Sequence, residues 1–352
     1  MDDTVADDAV DAKPRAWVRP VVLLVILVLA FFIGHRLLGR FDWDAVWEAM
    51  TRLAWWHGPV LVGVLLVRQL MNALPLALFI KGLSLFRALI NDLTAAMMAV
   101  VAPPPSDMVI RVAMFKSWGI DPSWGLAGAT MNTVTFYINR FATPVVGLVI
   151  VLLFAGEGRR GWWVVLSALI SLTILVVLHR VVHSEGYAAK LGAAAGRLAR
   201  RVRSSVDPEV WAAGATTFQG NIGQRYQQGL PRAQAGLLLM VLADAMVLLL
   251  TLRFVGVSSE VLPAWEVIGV FYLGYPLTLP PLMGLGIFDV ALMAAFLEVG
   301  GELIEPEVVA ALTVWRALTL LGPIILGVGA TGWWRWSIRD SVRDQSTTAE
   351  AP

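Results

Sequence analysis

The sequence has no cysteine and little charge. Asp, Glu, Lys and Arg make up 15% of its 352 residues, and the formal net charge is +1. The absence of cysteine excludes disulfides, thiolate metal sites and cysteine nucleophiles. A soluble domain usually carries about 25% charged residues, so a chain that is 58% hydrophobic lacks the polar surface that water requires. A net charge near zero without a basic tail argues against nucleic acid as a partner.

Sequence motifs for common enzyme chemistry are also missing. There is no Ser/His/Asp arrangement, no Gly-Lys-Ser/Thr phosphate loop and no paired-aspartate motif that would hold Mg²⁺. Only His179 and His183 share helical spacing, next to Arg180, where an interfacial role is favoured over a metal site. We therefore expect a protein that is not an enzyme and has no catalytic residue, metal or cofactor.

Long apolar runs are what the sequence does contain. They cover residues 21–38, 55–80, 95–102, 124–154, 162–178, 233–252, 265–282, 283–299 and 308–333. Because about 20 apolar residues span a hydrocarbon core, we predict an all-α integral membrane protein, a polytopic bundle of about seven to nine helices. The first run is longer than the core of a signal peptide, which favours a retained helix.

The distribution of Lys and Arg predicts the orientation. Segment 184–232 contains one Lys and six Arg, and the tail contains Arg335, Arg339 and Arg343. The loop with Glu298 and Glu302 to Glu307 has neither Lys nor Arg. By the positive-inside rule, both basic segments are cytoplasmic. We predict a cytoplasmic N-terminal tail (1–19), a single membrane domain (20–333) and a cytoplasmic C-terminal tail (334–352), in the cytoplasmic membrane. Within the domain, loop 184–232 is expected to contain an amphipathic helix on the anionic inner leaflet.

The N-terminal half fits this orientation only if one apolar run does not cross the membrane fully. The run that ends in Ala102-Pro103-Pro104-Pro105 is the best candidate, because three prolines stop a helix. A broken or re-entrant helix is tolerated where protein or water covers its backbone. The run 124–154, interrupted by Arg140 and Pro144, is the other place where the count is open.

Two stretches of the chain share one order of features: a proline break, an acid, an arginine within an apolar helix, and a proline. The first set is Pro103 to Pro105, Asp107, Arg140 and Pro144, and the second is Pro280-Pro281, Asp289, Arg316 and Pro323. Matched positions are offset by about 180 residues, and such a two-fold repeat is typical of transporters whose site lies between the halves. Chance resemblance of proline-containing helices is the alternative. Whether the repeat is inverted or parallel depends on the number of crossings.

Polar residues within the apolar runs are the candidate substrate-binding residues. A charge at the bilayer centre costs about 2.5–3.5 kcal/mol, so such residues face the protein interior and have a partner or a task. The candidates are Arg68, Asn72, Asp107, Arg111, Arg140, Asp244, Asp289 and Arg316. Arg87, Asp92, Arg253 and Glu266 are expected nearer the segment ends, where long side chains reach the interface.

Several pairings of these candidates are open. Asp107 and Arg111 are four residues apart on one helix face, where they can pair. Arg140 and Arg316 either join helices by pairing with Asp107, Asp244 or Asp289, or bind a phosphate or carboxylate. Asp244 is a candidate proton or cation relay, or a partner of an arginine. Because the buried arginines outnumber the buried acids, we expect room for an anionic group such as a lipid phosphate.

Two segments resemble the signatures of a known family. Pro103-Pro-Pro-Ser-Asp-Met-Val-Ile-Arg-Val-Ala-Met-Phe-Lys-Ser-Trp-Gly-Ile resembles the first signature of the lysylphosphatidylglycerol synthase transmembrane (flippase-like) family. Leu279-Pro-Pro-Leu-Met-Gly-Leu-Gly-Ile-Phe-Asp, followed by Arg316 and Pro323, resembles the second. The resemblance extends from about Arg68 to Trp333 and implies that Asp107, Arg111, Arg140, Asp289 and Arg316 match the family's polar motif residues.

The chain departs from the family's pattern in two places. Ser106 stands where the family usually has Gly, and Asp107 and Asp289 stand where Glu is common. Some members carry a cytosolic domain that aminoacylates lipid; since only segment 334–352 follows the last apolar run, we expect the transmembrane part alone.

These observations predict a flippase or transporter that moves an anionic, phosphate-bearing lipid or lipid-linked solute between leaflets. Membrane phospholipids are its expected partners, and a homo-oligomer or a separate lipid-modifying enzyme stays open as a further partner. The alternative is a non-transporting membrane subunit that anchors such an enzyme through the basic loop. The sequence predicts neither the particular lipid nor the direction or energy source of transport.

Overall fold

The computed structural model describes residues 42–102, 105–154, 184–202, 207–213, 229–279 and 284–349, with isolated positions between 169 and 216. The predicted helix 21–38 and most of the run 162–178 lie outside the described residues, as do Pro103, Pro104 and residues 280–283. The chain divides into two units, Met1–Asp44 and Ala45–Pro352. The first described helix begins in the first unit, and the other described helices belong to the second.

The described residues form an all-helical structure, with no strand among them, as predicted. The helices are α1 (Trp43–Thr51), α2 (His57–Phe79), α3 (Leu85–Val101), α4 (Ser106–Ser117), α5 (Pro122–Phe154), α6 (Glu185–Val202), α7 (Leu230–Phe254), α8 (Ala264–Gly274), α9 (Ile287–Gly300), α10 (Glu305–Arg316) and α11 (Gly322–Ala349). The 3₁₀ turn Tyr275–Thr278 extends α8, and the π turn Ala317–Leu321 joins α10 to α11.

Four helical segments are long and apolar enough to cross a membrane. They are His57–Phe79, Pro122–Phe154, Leu230–Phe254 and Glu302–Ile338, the last including α10 and the first part of α11. These segments coincide with four of the predicted apolar runs, which is consistent with a membrane protein. Helix α5 continues past Arg140 and Pro144 without a break, so the run 124–154 is one helix.

Helices α3 and α4 form an antiparallel hairpin on either side of the triple proline. Helix α3 ends at Val101 because proline lacks the N–H that would continue it. The Ser106 hydroxyl then donates to the carbonyls of Met98 and Ala102, and Ile90 packs against Met114. With 17 residues, α3 is about 25 Å long, which is shorter than a hydrocarbon core of about 30 Å.

Helices α8 and α9 form a second hairpin. The rings of Phe271 and Phe288 are 5.2 Å apart, and the Cα of Gly284 lies so close to the Leu277 carbonyl that a Cβ would collide with it. Gly284 has a φ of 67°, which glycine adopts without strain. The predicted runs 265–282 and 283–299 are therefore the two arms of one hairpin. Helices α8 and α9 have 11 and 14 residues, about 17 and 21 Å, so each is shorter than a hydrocarbon core of about 30 Å.

The order of elements repeats along the chain. Helix α2, the α3–α4 hairpin and α5 are followed by α7, the α8–α9 hairpin and α10–α11. The last long helix of each half packs on the hairpin of the other half: α5 packs on α8, and α11 packs on α3.

Close glycine contacts show that these two packings are equivalent. A Cβ on Gly147 would lie 2.8 Å from the carbonyl oxygen of Gly269 and 2.8 Å from the nitrogen of Leu273. A Cβ on Gly327 would lie 2.5 Å from the Leu93 carbonyl oxygen and 2.7 Å from Met97 Cβ. The same number of residues separates Leu93 from Gly269 and Met97 from Leu273. The two halves are thus related by a pseudo-two-fold axis.

The repeat is inverted. Helices α2 and α7 are equivalent elements that pack on each other. They are antiparallel, because His57 stacks on Phe254 at one end, Arg68 contacts Asp244 further along, and Leu74 contacts Gly236 beyond them. A two-fold axis along the helices would leave equivalent helices parallel. The axis is therefore perpendicular to α2 and α7.

Candidate functional site

A buried ion pair joins α2 and α7. Arg68 Nε lies 3.2 Å from Asp244 Oδ2, and the two side chains are 7% and 1% exposed. The other carboxylate oxygen of Asp244 accepts a hydrogen bond of 3.0 Å from Trp315 Nε1 on α10. Arg68 Nη1 also donates to Gln69 Oε1 at 2.6 Å. Asp244 is therefore an arginine partner, one of the two roles predicted for it.

The Arg68–Asp244 pair occupies equivalent positions of the two halves. The residues are separated along the chain by the same number of residues as Leu93 and Gly269. Since equivalent positions meet only on a two-fold axis, this ion pair marks the axis. Its charges are opposite, so the sequence breaks the symmetry there.

Arg140, on α5, is connected to this pair through Tyr275. Its guanidinium carbon is 5.9 Å from the ring centroid of Tyr275, which follows α8, and its Nε is buried without a hydrogen-bond partner among the described residues. None of the salt bridges among the described residues includes it, so the structure does not pair Arg140 with Asp107, Asp244 or Asp289. The predicted role of Arg140 in joining helices through an acid is not observed.

We call Arg68, Arg140, Asp244, Tyr275 and Trp315 the central cluster. The buried Tyr275 side chain is within electrostatic range of Asp244, Arg68 and Arg140. The cluster contains two guanidinium groups and one carboxylate, so it is positively charged overall. A second anion would balance it.

Arg316 and Asp289 form a second ion pair, between α10 and α9. Arg316 Nε lies 2.6 Å from Asp289 Oδ1, and the guanidinium carbon is 4.4 Å from the Trp315 ring centroid. Asp289 Oδ2 accepts the backbone N–H of Gly286 at 2.7 Å, which caps the start of α9. Asp289 is one of the three acids considered as a partner of Arg316, whose alternative role was to bind a phosphate or carboxylate. Because Trp315 also donates a hydrogen bond to Asp244, it connects the Arg316–Asp289 pair to the central cluster.

Arg111 forms a third ion pair, across the first hairpin. Its Nη2 lies 2.7 Å from Asp92 Oδ1, and its Nη1 donates to Asn91 Oδ1 at 2.8 Å. Asn72 on α2 donates to the same carboxylate. Asp107 takes no part in these contacts. The predicted pairing of Asp107 with Arg111 is therefore wrong in the described structure. Asp92 on α3 pairs with Arg111 instead and also accepts the hydrogen bond from Asn72.

Sequence reasoning placed some of these residues wrongly or missed them. Asp92 was expected near a segment end but lies in the middle of α3, and its neighbour Asn91 is fully buried. Two adjacent polar residues within an apolar run were the available signal. No signal in the sequence identified Tyr275 and Trp315, because aromatic residues are common in apolar helices. Arg253 does lie at a helix end, where it donates to the carbonyls of Val257, Ser258 and Leu262.

Within the part of the chain that the structure describes, no group of three or more His, Asp or Glu side chains is arranged to hold a metal ion.

Comparison of the chain with family models, with curated proteins and with solved structures finds no match. The resemblance to the lysylphosphatidylglycerol synthase transmembrane family remains a prediction that rests on the two motifs quoted above.

Proposed function

We propose that this protein is a flippase or transporter of the cytoplasmic membrane that moves an anionic, phosphate-bearing lipid or lipid-linked solute between leaflets. The central cluster is the observation that carries this proposal. It holds Arg68 and Arg140 but only the carboxylate of Asp244. A phosphate beside Arg140 would supply the missing negative charge and accept charge-assisted hydrogen bonds from the guanidinium.

The hairpins support a consistent membrane topology. If α3 and α4 enter and leave on one side, α2 and α5 are the described crossings before the basic loop. The apolar runs 21–38 and 162–178, which the sequence predicts to cross, would make the number of crossings before that loop even. The N-terminus and loop 184–232 are then both cytoplasmic, as the positive-inside rule requires. Helix α7 leads outward, the α8–α9 hairpin returns to the outer side, and α10–α11 brings the C-terminus back to the cytoplasm.

The inverted repeat supports a transport mechanism. In this topology the two hairpins enter the membrane from opposite sides. Proteins of this kind bind substrate where the repeats meet and expose it to either side as the halves exchange conformations. The ion pairs Arg316–Asp289 and Arg111–Asp92 hold the second arm of each hairpin to a neighbouring helix.

The first-turn acids of the hairpins help to select the position of the anion. Asp107 and Asp289 lie in the first turns of α4 and α9, where helix starts would otherwise attract an anion. Asp289 already accepts the N–H of Gly286. We therefore infer that the phosphate binds at Arg140 and not at the helix starts.

The test is lipid transport in liposomes that contain fluorescent anionic lipids. Arg140→Gln keeps a polar side chain with hydrogen-bond donors but is shorter and removes the charge; we expect transport to fall by about tenfold or more, since hydrogen bonds to a charged group contribute about 1.5–3 kcal/mol. Arg52→Gln is the matched control, because Arg52 is half exposed and pairs with Glu307 far along the chain from the cluster.

Two outcomes would contradict the proposal at different levels. Wild-type protein with no transport above protein-free liposomes, for every phosphate lipid tried, would refute the flippase function. Transport that Arg140→Gln and Arg316→Ala leave unchanged would refute the role of the arginines but not the function.

The alternative, an anchor for a lipid-modifying enzyme, is favoured by one observation on α6. Its basic residues Lys190, Arg197 and Arg200 are exposed, as a docking or membrane-binding surface requires. Replacing all three with Gln separates the two functions: an anchor loses its partner in a pull-down from the native membrane, whereas a flippase retains transport in liposomes.

A further inference from the structure

A cavity of about 400 Å³ lies where α2 and α4 end and α5 begins, well away in sequence from the central cluster. It is formed by two turns of the chain. Its lining consists of Phe79, Ile80, Lys81, Gly82, Trp118, Gly119, Ile120, Asp121 and Trp124.

The cavity has walls that are partly apolar and partly polar, and Lys81 is the only cation among its lining residues. Asp121 is engaged at the start of α5, where its Oδ1 accepts the N–H groups of Ser123 at 2.9 Å and Trp124 at 3.2 Å. Lys81 is exposed and takes part in none of the salt bridges among the described residues. The Asp121 carboxylate stays negative but is held at the start of α5, so the ammonium of Lys81 is the group that an anion would meet in a cavity also lined by Trp118 and Trp124.

The position of the cavity is that of a membrane interface. Helix α2 ends at Phe79 and α5 begins at Pro122, and both are candidate membrane spans, so their adjoining ends lie at the level of the lipid head groups. Further aromatic residues gather at the same end, since Trp334 Nε1 donates to Ser117 at 3.0 Å and Trp333 packs on Phe86. Tryptophan is enriched at this depth of a bilayer.

We propose that this cavity binds an anionic phospholipid from the adjoining leaflet. The phosphate contacts Lys81, and the glycerol and first acyl carbons lie between Trp118 and Trp124. A free phosphate ion would leave the apolar walls unused, whereas an amphiphile covers both parts of the cavity. The proposal requires α2 and α5 to cross the membrane, but it does not depend on transport.

Native mass spectrometry of the full-length protein in detergent, titrated with phosphatidylglycerol or phosphatidylcholine, tests this site. We expect phosphatidylglycerol to bind more tightly, and Lys81→Gln to weaken the tightest adduct about fivefold, which corresponds to one basic residue at a membrane surface. Lys81→Arg should retain the adduct. Lys116→Gln is the matched control, because Lys116 is an exposed lysine on α4 that does not line the cavity.

The remaining arms separate this site from other sources of binding. Trp124→Leu should also weaken the adduct, because Trp124 lines the cavity. Lys81→Gln should weaken it equally in an Arg140→Gln background, in which the proposed transport site has lost its phosphate-binding charge. Equal affinity for both lipids, an adduct unchanged by Lys81→Gln, or displacement by millimolar inorganic phosphate as effective as by phosphatidylglycerol would each overturn the proposal.

Discussion

The ion pair between Arg68 and Asp244 gives the sharpest test of the buried charge network. Asp244→Asn keeps the acceptor for Trp315 Nε1 but removes the carboxylate charge 3.2 Å from Arg68 Nε. Arg68 is then a buried cation with Gln69 as its remaining hydrogen-bond partner. Removing one member of a buried pair costs about 3–5 kcal/mol, close to the cost of about 2.5–3.5 kcal/mol for an arginine at the bilayer centre. We expect a loss of free energy of unfolding in this range.

The double variant Arg68→Gln with Asp244→Asn separates charge from packing. It removes both charges and leaves two amides that can hydrogen bond, so most of the lost stability should return. The resulting coupling energy should be about 3 kcal/mol, at the upper end for residues in contact. The assay is the free energy of unfolding in mixed micelles as the SDS fraction rises. Glu48→Gln is the control, because Glu48 is 75% exposed in its 3.7 Å pair with Arg52, and such pairs contribute less than about 1 kcal/mol.

The pseudo-two-fold axis allows a stricter form of this experiment. Because Arg68 and Asp244 are at equivalent positions, exchanging them (Arg68→Asp with Asp244→Arg) should restore the ion pair across the axis. The exchanged protein would still lack the hydrogen bond from Trp315, worth about 1.5–3 kcal/mol when the acceptor is charged. If Asp244→Asn is as stable as wild type, or if neither double variant improves on it, the reasoning from the buried pair is wrong.

Two further predictions concern the hairpins and the long helices that pack on them. Asp92→Asn should lower the free energy of unfolding by about 1.5–3 kcal/mol, because Arg111 loses a charged acceptor. Asp107→Asn should change the free energy of unfolding by less than about 0.5 kcal/mol. If SDS titrations show a larger loss for Asp107→Asn than for Asp92→Asn, Asp107 and not Asp92 is the ion-pair partner of Arg111. Gly147→Ala should destabilise by about 1–3 kcal/mol, since the new Cβ would lie 2.8 Å from backbone atoms of α8. Gly329→Ala, with no neighbour within 4 Å, should not; equal melting temperatures for the two would argue against the close packing of α5 on α8.

Much of the fold could be predicted because hydrophobicity and proline act locally. A long apolar run predicts a helix over the same residues, and the runs around α2, α5, α7 and α10–α11 are helices at the expected places. The proline break before Asp107 likewise ends one helix and starts another, whatever surrounds it. The runs at 265–282 and 283–299 were predicted as separate membrane segments, because composition does not show that they form the two short arms of one hairpin.

The pairing of charges could be predicted only in part. Asp289 and Arg316 were among the expected pairs, since few acids were available to each arginine. The partner of Arg111 was not found, because helical spacing favoured Asp107 over Asp92, which approaches from another helix. A contact between helices depends on how they pack, and no local pattern records it.

The sequence by itself determined that this chain is helical and apolar, that it contains two matched sets of broken helices, and that a few charges lie among apolar residues. These follow from composition and order, which are properties of the chain alone. Only the tertiary structure decided that the repeat is inverted, because that requires the relative direction of α2 and α7. It also decided which arginines are matched by an acid, since a carboxylate neutralises whichever guanidinium the fold brings within about 4 Å of it. Arg140 is left without one among the described residues.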